Sequence, residues 1–145
     1  MHATLQKFGY PATLVKELEH WCILRRPFQA TLGALVLVAK SDATSFASLP
    51  SAAYAELQAA THVIETGLRS FRPFGKINYL ALMMVDPQVH FHVLPRYAEA
   101  QIFDGTTFPD PGWPALPDLK HATPHSDDTA KKLQNALVDA FNTTL

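Results

Sequence analysis

Gln88-Val89-His90-Phe91-His92-Val93-Leu94-Pro95-Arg96 alternates with period two. Val89, Phe91 and Val93 fall on one side, and Gln88, His90, His92 and Leu94 on the other. Successive side chains of a β-strand leave on opposite faces, so the pattern predicts a strand with an apolar underside. The two imidazoles then share a face, with their backbones roughly 6.5 Å apart by the strand rise. Something polar must meet them, because unpaired polar groups are costly to bury.

Three kinds of chemistry suit that pair. Two imidazoles are good ligands for zinc, copper or iron, although such a site ordinarily wants a third or fourth ligand. Asp86 is near in sequence, and His20, His121 or His125 could come from elsewhere. The pair could equally be structural, each ring tied to a carbonyl or a water. In a catalytic pair, one neutral imidazole attacks phosphorus or carbon, and the other donates a proton or hydrogen bond to the developing charge. Histidine can take either role because it titrates near pH 7, and adjacent imidazoles resist double protonation. Leu94-Pro95-Arg96 then leaves the strand and brings a cation to its end, which tilts the balance towards catalysis.

Upstream, 77–83 is predicted as a strand, and Val85-Asp86-Pro87 as a tight connection that makes it a hairpin partner of the histidine strand. Asp86 is there a turn residue. Pro50 and Ser51 open the clearest helix, with a stripe of Leu57, Ala60, Ile64, Leu68 and Phe71. Pro73 and Gly75 stop it. His62 lies off the stripe as an exposed helical residue. Leu32–Ala39 is almost wholly apolar, the pattern of a central strand covered on both faces. His20–Arg25 is a first strand ended by Pro27. Thr13–Glu19 fits a helical turn or a lead-in strand alike.

Downstream, 98–125 is predicted as a proline-rich loop. Pro109, Pro111, Pro114, Pro117 and Pro124 make it irregular, with Phe108 and Trp113 available to pin it to the body. Ser126-Asp127-Asp128 caps a final helix over 126–143, with a stripe of Ala130, Leu133, Leu137 and Phe141. Strand, strand, helix, strand, strand, loop and helix make an α+β domain: an antiparallel meander sheet with a main helix and a C-terminal helix packed on it.

A chain of 145 residues suits a single domain, 1–145, with a sizeable core. The 12 Lys+Arg against 13 Asp+Glu leave no basic footprint for a nucleic-acid polymer. Cys22 is the single cysteine, which excludes an internal disulfide or a multi-cysteine zinc site and suits a reducing cytoplasm. It lies in an apolar run, as a buried thiol would. The N-terminus lacks the pattern of a signal peptide, and the longest apolar run is too short to span a bilayer.

Val89–Arg96 resembles the signature of the histidine triad (HIT) superfamily, His-φ-His-φ-His-φ-φ with φ apolar, often followed by Pro-Arg. Gly33 to Lys40 resembles the family's Gly-His-hydrophobic strand, Thr44 to Leu49 its approach to the main helix, and Asn78 an Asn on the strand before the triad. The resemblance covers roughly 20–97. Gln88 stands in place of the first histidine, and Ala34 in place of the His that often follows the glycine. Arg25 occupies the region of a ribose-contacting Asn or Asp. The loop before the triad is short, and the zinc-binding cysteines of some branches are absent. Some bacterial HIT-like proteins share the short loop and the Gln.

The resemblance implies a HIT-like fold and a nucleotide hydrolase or transferase, similar to diadenosine polyphosphate hydrolases. Its substrate would be a nucleoside phosphoester, phosphoanhydride or phosphoramidate. It further implies a homodimer, no cofactor and no metal. His90 matches the nucleophile that becomes nucleotidylated, and His92 the histidine that hydrogen-bonds the phosphate or leaving group. Gln88 takes the orienting position, where its backbone carbonyl could still hold the His90 ring. Asn78, Arg25 and Arg96 are substrate-binding candidates; for Arg96 a surface or dimer salt bridge is the alternative to a phosphate contact. A nucleotide-binding protein with little turnover, or a metal-dependent hydrolase using the His-x-His pair, are the other expectations.

Overall fold

The structure, a computed structural model, describes residues 2–143. Five strands form one antiparallel sheet: β1 (Leu14–Glu17), β2 (Trp21–Arg25), β3 (Leu35–Ala39), β4 (Lys76–Leu80) and β5 (His90–Arg96). The architecture is α+β, as the residues predict. Thr13–Glu19 resolves to a strand, and the apolar run condenses to β3 because Leu32–Ala34 belong to the turn before it. Gly33 makes that turn at φ 88°, in the left-handed region that favours glycine.

The sheet order is β1-β2-β3-β5-β4, so it is not a simple meander. The histidine strand β5 lies between β3 and β4, and β4 is an edge. The connection from β4 to β5 is also longer than a tight turn. Leu80 ends β4, residues 81–89 cross to β5, and Met83 takes φ 43° on the way. The apolar residues of 82–85 continue the strand's composition, but they line a cavity instead of pairing.

Register sorts the side chains into two faces. Leu35 pairs with Val93 and Leu37 with Phe91, whereas Val36 pairs with His92 and Val38 with His90. The first set joins Trp21 and Ile23 in the main core, beneath α2 (Ser51–Phe71) and α3 (Asp127–Asn142). The second set joins Cys22, Leu24, Leu5 and Phe8 on the opposite face. There a short helix, α1 (Ala3–Lys7), covers the sheet. β3 is buried throughout because both faces are occupied. The sequence reading did not anticipate α1. A single turn has no room for a periodic stripe and is held by tertiary contacts.

The two long helices end as their sequences dictate. Arg72 is extended at ψ 136°, as a residue before proline prefers, and closes α2. Ser126 Oγ accepts the Thr129 N–H at 3.1 Å, and Asp127 and Asp128 sit in the first turn of α3. The segment 98–125 is not wholly irregular. β6 (Gln101–Phe103) and β7 (Thr106–Phe108) form a hairpin through Asp104 and Gly105, at φ 51° and 73°. Asp-Gly between short strand-prone runs is a strong two-residue turn signal; the prolines that follow it masked it in the sequence. Phe108 is fully buried in the main core and pins the segment, and Trp113 lies against Gly75. No helix among the described residues is long and apolar enough to cross a membrane.

Candidate active site

His90 and His92 stand side by side on β5, on the face that α1 covers. Their ring centroids are 5.2 Å apart and their planes nearly perpendicular. Phe8, at the end of α1, lies 5.7 Å from each ring. A cavity of about 320 Å³ opens over the pair. Its walls come from Lys7 and Phe8, from Arg26 and Phe28 beyond β2, and from the 82–86 stretch of the β4–β5 crossing. Phe28, Met84 and Val85 are well exposed at its rim.

Each ring has a defined state. His90 Nδ1 lies 2.7 Å from the main-chain oxygen of Gln88. A carbonyl can only accept, so Nδ1 carries the hydrogen and in the neutral ring Nε2 carries the lone pair. This is the contact expected of Gln88, and it comes from the backbone. The Gln88 side chain turns the other way: its Oε1 accepts from Thr4 Oγ1 at 2.6 Å and Thr4 N at 3.2 Å. It therefore anchors α1 and adds no group to the cavity.

His92 is 92% buried, being 8% exposed, and its Nδ1 has no hydrogen-bond partner. Burial pushes its pKa down to about 4, helped by the positive charge of Arg26 and by His90, with Asp86 opposing. At neutral pH it is an uncharged imidazole, able to donate a hydrogen bond. Lys7 and Asp86 pair at 3.4 Å across the mouth.

The three substrate-binding candidates lie elsewhere. Arg96 is 3% exposed and pairs with Asp110 through two bonds, Nε–Oδ2 at 2.7 Å and Nη2–Oδ1 at 3.0 Å. Its Nη1 donates to Asn78 Oδ1 at 2.7 Å and to the Ala115 carbonyl. Arg96 thus sits in a salt bridge, but a buried one within the chain and not one at the surface or a dimer contact. Asn78 is drawn into the same network. Both line a separate cleft of about 570 Å³ along β4, roofed by the Trp113–Pro117 stretch and without either histidine. Arg25 donates from Nε to Gln134 Oε1 on α3 at 2.9 Å, on the far side of the sheet.

Parity explains why Arg25 is displaced and Arg26 is not. Cys22 and Leu24 point to the histidine face, so the next residue of that parity is Arg26. Alternation within β2 carried this signal, but only the pairing of β2 with β3 and β3 with β5 says which face holds the histidines. Lys7 and Phe8 had no comparable signal. Among the described residues, no group of three or more His, Cys, Asp or Glu side chains is placed to hold a metal ion.

No family model matches the chain, and no curated protein does. Solved structures do. A histidine triad protein of Marinobacter aquaeolei superposes with a TM-score of 0.75 at 18% identity, covering 100% of this chain and 97% of that one. One from Sinorhizobium meliloti gives 0.73 at 20% identity, covering 97% and 95%. A hypothetical histidine triad nucleotide-binding protein of Sulfolobus tokodaii gives 0.70 at 14% identity, covering 97% and 90%. The chain has the fold of these histidine triad proteins over nearly its whole length.

Proposed function

We propose that the protein is a histidine triad nucleotide hydrolase or transferase, with His90 as nucleophile. The observation that carries this reading is the bond from His90 Nδ1–H to the Gln88 carbonyl, which makes Nε2 the lone-pair atom of the neutral ring, on a residue lining the cavity. Nε2 attacks the phosphorus of a nucleoside phosphoester, phosphoanhydride or phosphoramidate. A P–N bond forms, the bond to the leaving group breaks, and the leaving group departs with the electron pair. Water then attacks the same phosphorus, the P–N bond breaks, and the nucleotide leaves with the water oxygen while the water proton passes to solvent. The Gln88 carbonyl steadies the charge that His90 acquires in between. His92 donates a hydrogen bond to the phosphoryl oxygens or the leaving group. Because it is neutral, good leaving groups are favoured. The reading includes a homodimer and a reducing, cytoplasmic setting, the latter supported by Cys22 as a buried free thiol.

The test is covalent trapping. A dinucleotide labelled in its phosphates is mixed with the protein and quenched in alkali, where phosphohistidine survives. Label on wild type and none on His90→Ala is the expected result; turnover by His90→Ala at the wild-type rate sinks the mechanism. Activity that survives excess chelator separates it from a hydrolase using the pair as ligands. A second reading, nucleotide binding with little turnover, is favoured by the Gln88 side chain being spent on Thr4. Tight nucleotide binding without label is its signature.

A further inference from the structure

The cavity over the histidines contains a cation, Arg26, with no carboxylate partner among the described residues. Arg26 follows β2 and reaches the histidine face. Its Nη1 donates to the Phe28 carbonyl and its Nη2 to the Leu119 carbonyl at 3.4 Å. Its Nε is buried and has no partner. Both acceptors are neutral, and no carboxylate among the described residues forms an ion pair with it. Asp86 shares the cavity, but it pairs with Lys7. Burial lowers the Arg26 pKa, the sign of a charge whose lost hydration has not been replaced.

The backbone under Arg26 is held in place. Gln29 is fully buried and donates from Nε2 to the Arg26 carbonyl at 2.6 Å and to the Ala34 carbonyl at 3.0 Å, while its Oε1 accepts from Gly33 N at 2.8 Å. Arg26 N donates to the Ala34 carbonyl at 2.9 Å. One buried amide thus ties both ends of the β2–β3 connection. Such an anchor is what a charge needs if it is to be aimed and not merely solvated.

Two side chains that each carry a buried nitrogen without a partner, His92 at Nδ1 and Arg26 at Nε, therefore line one cavity beside His90. Neither His92, neutral at pH 7, nor Gln88, turned towards Thr4, brings positive charge to it. An anion in the cavity would balance the Arg26 charge. We propose that Arg26 is a catalytic residue of this site, whose guanidinium binds the non-bridging oxygens of the phosphoryl group that His90 attacks. It supplies a positive charge that neither His92 nor Gln88 brings. The proposal rests on the phosphoryl-transfer reading above.

The experiment separates the two. Inorganic phosphate, which needs no turnover, is titrated into wild type, Arg26→Met and Arg26→Lys, with the His90 and His92 ring signals followed by NMR. Thermal melts confirm that each variant is folded. Wild type should bind phosphate beside the two rings, Arg26→Met at least tenfold more weakly, and Arg26→Lys in between, because an ammonium keeps the charge but loses the fork. Covalent labelling should slow on the order of 10²-fold in Arg26→Met. The His92 pKa should rise in the same variant, a shift that loss of a loop contact alone would not bring. Phosphate affinity equal in wild type and Arg26→Met, or no phosphate bound by wild type, overturns the proposal. Labelling of His90 at the wild-type rate in Arg26→Met overturns it while leaving the function standing. Arg26-dependent phosphate binding without any labelling leaves Arg26 as an anion ligand and removes the turnover.

Discussion

His90 donates its Nδ1 hydrogen to the main-chain carbonyl of Gln88, at 2.7 Å. The contact uses an atom that every residue type has, so it survives whatever side chain occupies position 88. The side chain does a different task, two bonds to Thr4 that tie α1 to the start of β5.

The two tasks come apart in Gln88→Ala. The His90 tautomer is retained, so covalent labelling should stay within about threefold of wild type. The anchor of α1 is lost, at about 1 kcal/mol for the hydrogen bonds concerned. Hydrogen exchange should quicken across residues 3–8 and little elsewhere. Abolished labelling with unchanged exchange would show that the amide acts in the chemistry.

Arg96 and Asp110 are 4% and 1% exposed in their side chains, so their pair is sealed from water. Arg96→Ala leaves a buried carboxylate without its charged partner, with the Tyr97 N–H as a remaining donor. Loss of stability should be about 3–5 kcal/mol, measured by urea unfolding. Arg96→Ala with Asp110→Ala should recover part of that. A variant of unchanged stability but weaker nucleotide binding would return Arg96 to the substrate.

Gly67 lies inside α2, where alanine would ordinarily favour the helix by about 1 kcal/mol. A Cβ there would stand 2.6 Å from Phe141 Cδ1. Overpacking of this kind costs about 1–3 kcal/mol, and the sign is decided by the ring. Gly67→Ala should lower Tm, and the loss should shrink in a Phe141→Leu background, as a double-mutant cycle would reveal. A raised Tm in the single variant would mean that α2 and α3 move apart freely.

The His92 pKa falls from 6.5 unfolded to about 4 folded. The folded state therefore binds fewer protons in that window, and stability falls as pH drops from about 6.5 to about 4. The loss attributable to His92 is on the order of 2 kcal/mol, allowing for the ring's partial contact with solvent in the cavity. His92→Gln removes the titration, so its urea midpoint should depend less on pH across that window. Equal slopes in the two proteins would contradict the burial argument.

Much of the fold was legible residue by residue. Alternation at 88–96 predicted β5 and its two faces, the unbroken apolar run predicted a covered β3, and the prolines bounding α2 and the Ser126 cap of α3 stood in the sequence. The Gln88 carbonyl could be anticipated because the backbone is common to all residues. The longer crossing before β5 was hidden because Leu82, Met83, Met84 and Val85 continue a strand's composition while lining a cavity. The Asp-Gly hairpin was legible but lay beside prolines that suggested disorder of pattern.

Local chemistry in the sequence determined that the two histidines share a strand face and that an apolar core lies beneath them. Hydrophobic period and turn residues act over a few neighbours and need no partner. What only the tertiary structure decided was the company the pair keeps. Phe8 and Lys7 reach it from the far end of the chain, Arg26 reaches it where Arg25 does not, and Arg96 is claimed by Asp110. Strand pairing sets which parity faces which cavity, and that register is a property of the whole sheet.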